Sequence, residues 1–386
     1  MTTLRIAVVA GARPNFMKVA PILRAMDSHG GFSAMLVHTG QHYDAALSDV
    51  FFEELGIRQP DVRLVIRGKS HGEQTGEILQ ETEKVFARGY LDGQPLDGVI
   101  VVGDVNSTLA AALAATKLQI PVAHVEAGLR SRDRSMPEEI NRLATDAICE
   151  LLLASEPAAV QNLENEGHPQ DRVFLVGNVM IDTLQTFLPR ARSLRATERF
   201  NLTPGNYATV TLHRPSNVDN PETLGRLIDV LVEISERLPI VFPVHPRTRS
   251  RLESGELLRP LEQATGIRLT EPLGYLEMLC LNSQAKVIIT DSGGLQEEST
   301  ALGIPCLTMR ENTERPVTVT EGTSTLIGND AARLKHELEN VLTGMYRTGS
   351  CPKLWDGHAA ERIVAVLHEN LPDRRVGKSQ AVVNRS

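Results

Sequence analysis

The stretch KVIITDSGGLQEESTA, residues 286–301, holds the fold in miniature. Lys286–Thr290 is a short run dominated by apolar, β-branched residues, as in a strand buried on both faces. Gly293 and Gly294 then form a tight turn, and Gly294–Ala301 follows with helical spacing. Strand, glycine turn and helix in that order make one half of a parallel βαβ unit. Working outward, Pro305–Met309 reads as the next strand and Tyr275–Leu281 as the preceding helix. Ile267–Thr270, Ile240–Val244 and Tyr207–Leu212 continue the strand series toward the N-terminus, with a helix near Pro221–Glu236. The chain here alternates the two elements throughout.

The front half repeats the pattern. Leu4–Val9, Ala34–Val37, Gly98–Val102, Val122–Val125, Leu151–Ala154 and Val173–Val176 are the strand candidates. Phe16–Met26, Gly72–Phe86 and Ser107–Lys117 are the helices between them, with Phe16, Ala20, Leu23 and Met26 on one apolar stripe. Between Ser193 and Asn206 the periodicity gives way to arginines, glutamates and Thr203-Pro204-Gly205. The expectation is therefore an α/β chain of two Rossmann-like domains, residues 1–195 and 205–358. A helix at 359–371 is expected to return to the first domain, and a polar, basic tail at 372–386 to be disordered.

A length of 386 residues suits two domains. The net charge of −8 argues against a general nucleic-acid or membrane binder, and no apolar run approaches the roughly 20 residues of a bilayer span. The N-terminal MTTLRIAVVAG lacks the features of a secretory signal. Cys149, Cys280, Cys306 and Cys351 are scattered, without metal-ligand spacing. They read as reduced thiols, which points to the cytoplasm.

In an open parallel sheet, ligands bind beyond the carboxyl ends of the strands. The polar clusters of this sequence follow such strands. After the first comes GARPNFMK (11–18), a glycine turn entering a helix with proline in its first turn. Backbone N–H groups left free there, with Arg13 and Lys18, suit an anion such as diphosphate. On spacing alone the two cations read equally well as solvated side chains. The segment lacks G-x-G-x-x-G and an acidic residue placed for a ribose, which disfavours a nicotinamide cofactor.

Asp104, in VGDVNS (102–107), can be a base, a sugar ligand or a helix N-cap. Glu126, in HVEAGLR (124–130), leaves a buried strand, where burial raises a carboxyl pKa as acid–base work requires. Its bland alternative is an ion pair with Arg130 or Arg132. Glu138 stands three residues after Ser135 and can simply close a capping box. In the back half, TLHRP (211–215) sets His213 beside Arg214 at a strand end, and His245-Pro246-Arg247 repeats the arrangement one strand later. Ser292, Gly293 and Gly294 bring a hydroxyl and close-approach glycines to a helix start, which suits phosphate oxygens. Glu298 lies a little over a turn further on, within reach of a ribose diol. Arg315, in NTERP (312–316), suits a second phosphate contact.

These motifs, with TGQHYD (39–44), MPEEINR (136–142), VGNVMID (176–182), PVHPR (243–247) and TDSGGLQEE (290–298), run in one order from Gly11 to about Glu361. So arranged, they resemble the non-hydrolysing UDP-N-acetylglucosamine 2-epimerases. The resemblance implies a glycosyltransferase-B-like fold with its active site in the interdomain cleft. By position it implies that Arg13, Lys18, His213, Ser292, Gly293, Gly294, Glu298 and Arg315 hold UDP. Asp104, Glu126 and Glu138 would serve the C2 proton, with His213 near the reacting centre. Gln41 and His42 match a pair through which some relatives bind an activating second UDP-sugar. The short Ser131–Met136 loop and Ser216 depart from that form.

The implied reaction expels UDP to a 2-acetamidoglucal and adds it back, so that no metal or redox cofactor is needed. The resemblance further implies a homodimer feeding surface polysaccharide synthesis. A UDP-2,3-diacetamido uronic acid substrate, a hydrolysing epimerase and a glycosyltransferase of the same fold stay open as alternatives.

Overall fold

The computed structural model describes residues 3–40 and 56–383. The chain divides into two compact units, Met1–Thr183 with Lys353–Ser386, and Leu184–Pro352. The start of helix Val179–Ser193 is tied into the first unit. Thr183 Oγ1 donates to the Met17 carbonyl at 2.5 Å, and Asp182 accepts the Ala359 and Ala360 N–H groups at 3.1 and 2.7 Å. Burial pushes the Asp182 carboxyl up to about 6, although those N–H groups and Arg362 pull the other way.

In the first unit seven parallel strands lie in the order β3-β2-β1-β4-β5-β6-β7. They are β1 (Leu4–Ala10), β2 (Phe32–His38), β3 (Val62–Arg63), β4 (Gly98–Val102), β5 (Val122–Val125), β6 (Leu151–Ala154) and β7 (Val173–Leu175). β1, β4, β5 and β6 are buried almost without exception, which is why their sequences are unbroken apolar runs. The order reverses at β1 and β4, so the crevice for a ligand opens beyond their carboxyl ends. Gly11 stands there in contact with its neighbours. A Cβ on it would lie 2.0 Å from Ser107 Oγ and 2.8 Å from Thr39 Oγ1.

The C-terminal segment completes this unit. Trp355 is buried and donates its indole N–H to the Ser155 carbonyl at 3.3 Å. Arg362 donates to the Val176 and Leu354 carbonyls at 2.7 and 3.0 Å. The last helix, Ala359–Val383, packs on helix Arg13–His29 and continues through Pro372, well past residue 371. The disordered tail expected from residue 372 is thus helical backbone as far as Val383. A polar, basic composition does not by itself separate an exposed helix from coil, because Arg, Lys and Gln are good helix formers.

The second unit repeats the design with six parallel strands in the order β10-β9-β8-β11-β12-β13. They are β8 (Ala208–Thr211), β9 (Ile240–Pro243), β10 (Ile267–Thr270), β11 (Val287–Thr290), β12 (Cys306–Thr308) and β13 (Ser324–Leu326). Its core joins Val210, Phe242 and Ile289 of the sheet to Leu227, Leu231 and Ile234 of helix Pro221–Ser235. The switch point here lies between β8 and β11, where the HRP and DSGG motifs emerge.

Candidate active site

The two switch points are built from similar parts but are chemically unlike. In the first unit the turn after β1 is closed by its own helix. Asn15 Oδ1 accepts the N–H groups of Gly11 and Ala12, both at 3.0 Å, and Asn15 Nδ2 donates to the Val102 carbonyl at 3.1 Å. The free backbone donors expected at Gly11 and Ala12 are therefore consumed, and an amide side chain three to four residues along is the cause. Arg13 begins the helix. Lys18, one turn further, is 7% exposed, and its Nζ lies 2.5 Å from Glu126 Oε2.

Glu126 leaves β5 with φ +69°, a left-handed backbone costly for any residue but glycine. Its N–H and that of Ala127 both donate to the Leu153 carbonyl, at 3.0 and 3.2 Å, which pins the turn. The ion pair seen for Glu126 is with Lys18. Arg130 is bound to Asp146 at 2.8 Å and to Glu166 at 2.6 Å. Asp146 also receives His124 Nδ1 at 2.6 Å and the Gly128 N–H at 3.0 Å. Burial by itself raises the Asp146 carboxyl, but His124 and Arg130 outweigh it and bring it below the ordinary value. His124 and Arg130 are thus the internal frame that sets the Glu126 turn.

Asp104 does not cap the following helix, whose N-cap is Val105. Its carboxylate takes two bonds from Arg142, Nε at 3.0 Å and Nη2 at 2.7 Å. Arg142 in turn lies 2.5 Å from Glu139, which also accepts the N–H groups of Ser131 and Arg132. Glu138 closes no capping box. Helix Pro137–Ile148 starts from Met136 without a side-chain cap, and Ser135 Oγ turns back to Asp133 at 2.6 Å. The short Ser131–Met136 loop draws Ser135 aside. Glu138 instead lines a cavity of about 290 Å³ with Asp104, Asn106, Asn141, Lys69 and His71. Among the described residues it makes no ion pair, whereas Asp104 and Glu126 each face a buried cation.

The second unit keeps its turn open. Ser292 caps helix Gly293–Leu302, and only its own N–H is taken inside the turn, by Thr290 Oγ1 at 3.0 Å. Among the described residues the N–H groups of Gly293, Gly294 and Leu295 have no partner, as the first turn of a helix requires. A Cβ at Gly294 would meet nothing within 4 Å, but one at Gly293 would lie 2.9 Å from Glu314 Oε1. Glu314 binds Arg310 at 2.7 Å and Arg315 at 2.9 Å, and Arg315 also pairs with Glu297. Arg315 is 7% exposed, so it is a rigid buried cation beside the turn.

Across the switch, His213 Nδ1 lies 2.7 Å from Asp291 Oδ1. Asp291 Oδ2 accepts the N–H groups of His213 and Arg214 at 2.9 and 2.8 Å and the Asn217 amide at 3.0 Å. Burial tends to raise Asp291, but His213, Arg214 and Asn217 together hold it below the usual carboxylate range. A neutral His213 so placed carries its proton on Nδ1 and offers Nε2 outward.

His213, Ser292 and Glu298 line one cavity of about 260 Å³, walled by Leu212, Pro243, Leu273, Met278 and Leu295. His245 joins them, 5.7 Å from His213 between ring centres, and burial and the neighbouring His213 hold its imidazole below its ordinary pKa. Glu298 is pushed up to about 8 by burial and by Glu297, which the adjacent Tyr275 hydroxyl only partly offsets. Asp291, Arg142, Glu139 and Arg310 stand within the quoted motifs or beside them, and Tyr275 outside them, yet only the folded chain reveals their roles. Gln41 and His42 lie outside the described residues.

Comparison with known proteins matches this framework. The UDP-N-acetylglucosamine 2-epimerase family model matches residues 24–368. A UDP-N-acetylglucosamine 2-epimerase of Methanocaldococcus jannaschii is 42% identical over 94% of this chain and 99% of its own length. A UDP-2,3-diacetamido-2,3-dideoxy-D-glucuronate 2-epimerase of Pseudomonas aeruginosa is also 42% identical, over 84% of this chain and 88% of that one. The crystal structure of the M. jannaschii enzyme in complex with UDP-GlcNAc and UDP superimposes with a TM-score of 0.83, at 42% identity, covering 95% of this chain and 99% of that one. With its pair of parallel α/β units in a glycosyltransferase-B-like fold, the chain belongs to the UDP-N-acetylglucosamine 2-epimerase family.

Proposed function

We propose that the protein interconverts UDP-GlcNAc and UDP-ManNAc. The observation that carries this reading is the division of charge between the two switch points. One gathers three carboxylates, Asp104, Glu126 and Glu138, around the ends of β4 and β5. The other offers the open N–H groups of Gly293, Gly294 and Leu295, with Ser292, His213 and the buried Arg315 beside them. In this reading the apolar walls of the second cavity take the uracil, Glu298 the ribose diol, and the Gly293–Leu295 turn the diphosphate.

The chemistry follows from the substrate. C2 of the hexosamine has no adjacent carbonyl, so removing its proton alone leaves an unstabilised carbanion. If the C1–O bond breaks as the C2–H bond breaks, the C–H electron pair becomes the C1=C2 bond, and UDP leaves with the C–O pair. A carboxylate takes the proton, while N–H donors, His213 and Arg315 stabilise the charge growing on the diphosphate. Protonation of C2 from the opposite face by a second carboxyl group, with return of UDP to C1, gives the epimer. Two groups are required, one to take the proton and one to give it, and this reading draws both from Glu126, Asp104 and Glu138.

In deuterium oxide with UDP-GlcNAc as sole substrate, the epimerase yields UDP-ManNAc carrying deuterium at C2 and no net free UDP. Accumulation of UDP and free sugar is the result expected of a hydrolysing enzyme. Deuterium entry only after an acceptor is added is the signature of a transferase.

Lys69 and His71 in the cavity of Asp104 and Glu138 favour a second reading, in which a uronic acid carboxylate is the sugar substituent. The ratio of kcat/KM for UDP-GlcNAc to that for the diacetamido uronate separates the two. Family resemblance also supports a homodimer and a role in polysaccharide precursor synthesis. The absence, among the described residues, of any helix long and apolar enough to cross a membrane agrees with a cytoplasmic enzyme. Sedimentation and cell fractionation test these points.

A further inference from the structure

We infer that Lys18 is a positioning residue for Glu126, holding its carboxylate in place and aimed, rather than a ligand of the diphosphate. The inference rests on the epimerase reading above and refines it.

Three observations carry it. First, the ammonium is already engaged. Lys18 is 7% exposed, its Nζ is 2.5 Å from Glu126 Oε2, and the Glu126 side chain is itself 4% exposed. A phosphate drawing Lys18 away would break a buried ion pair.

Second, the surroundings are shaped for this pair. A Cβ at Gly103 would come within 3.1 Å of Lys18 Nζ, 3.5 Å of Asn15 Nδ2 and 3.7 Å of Glu126 Oε2. The bare Cα, held at φ +68°, lets ammonium, amide and carboxylate converge at the end of β4.

Third, the turn that carries Lys18 is poorly fitted to an anion. Its Gly11 and Ala12 N–H groups are spent on Asn15, whereas the Gly293–Leu295 turn of the second unit keeps its donors open. A buried glutamate at a left-handed turn needs both a fixed direction and a cation if it is to enter the reaction as a base. Lys18 provides both.

The test compares Lys18→Met, Glu126→Gln and the double variant for UDP affinity by calorimetry and for C2 deuterium exchange by NMR. Wild-type exchange comes first, because its absence would overturn the epimerase reading and leave Lys18 aside. Lys18→Met is expected to keep the Kd for UDP within about threefold while exchange falls roughly 100-fold or more. The double variant is expected to be no slower than Glu126→Gln alone, because Lys18 acts only through that carboxylate. A UDP affinity weakened about tenfold or more with exchange retained would overturn the inference, as would losses that multiply in the double variant. If Lys18→Met fails to fold, Lys18→Arg takes its place. It keeps a cation beside Glu126, so UDP affinity is expected to hold and exchange to persist in part. Loss of UDP affinity in a folded Lys18→Arg protein would overturn the inference equally.

Discussion

Replacing Asp291 by asparagine changes one charge and almost no volume, which makes it a sharp probe of the nucleotide side. Asp291 is fully buried, accepts three N–H groups through Oδ2, and faces His213 Nδ1 at 2.7 Å through Oδ1. The asparagine oxygen can take over the three donors only if its NH2 group then points at His213 Nδ1. Two donors face each other, so the imidazole must shift its proton to Nε2 or move away. Either way His213 loses the carboxylate that fixes its ring beside a departing diphosphate. A hydrogen bond to a charged group contributes about 1.5–3 kcal/mol. At about 1.4 kcal/mol per tenfold, its loss corresponds to roughly a 10- to 150-fold fall in kcat/KM. Because Asp291 is held below the usual carboxylate range, its stabilising effect is present above that range and disappears as pH falls through the folded-state value. The Tm deficit of Asp291→Asn should therefore be widest near neutrality and shrink on acidification. Steady-state epimerisation at neutral pH and thermal unfolding between pH 3 and pH 8 (roughly the window of carboxylate linkage) measure both. A variant within about twofold of wild type in kcat/KM, with a Tm deficit independent of pH, would refute the reasoning.

Three further outcomes are expected. Glu126→Gln should lose several orders of magnitude of turnover while binding UDP nearly normally; retention of most activity would move the base elsewhere. Arg315→Ala should weaken UDP binding about tenfold or more and also lower Tm, because Glu297 and Glu314 each lose one buried ion pair; an unchanged UDP isotherm would remove Arg315 from the site. Glu298 titrates near 8 in the fold against an ordinary value near 4.5, so the unfolded chain gives up this proton first. Its contribution is lost as pH rises through that interval, and Glu298→Gln should flatten the decline in Tm up to about pH 8; parallel wild-type and variant curves would contradict the assignment.

The fold was legible wherever burial on both faces leaves an unbroken apolar run, as in Gly98–Val102 or Val287–Thr290. β3, only Val62–Arg63, and β13, Ser324–Leu326, are too short and too polar to carry such a signal. Motif residues were legible as a set, because a strand end followed by glycine and charge recurs along both sheets. Their partners were not. Lys18 and Glu126 are 108 residues apart, and Asp104 and Arg142 are 38 apart. Spacing within a motif reveals nothing of a pairing made by the sheet. The same limit misdirected Ser135 and Glu138, whose local spacing suits a capping box while the loop before them sends Ser135 to Asp133. It also hid the effect of Asn15, which converts an apparent anion-binding turn into a closed one.

Fission of the bond between C1 and the diphosphate can be followed with UDP-GlcNAc carrying oxygen-18 in that bridge. If UDP departs and returns within the site, its β-phosphate turns between the two events. The label should then spread into the non-bridging oxygens of recovered substrate and of UDP-ManNAc. Epimerised product with all the label still in the bridge would mean that C1–O never breaks, and the elimination mechanism would fall.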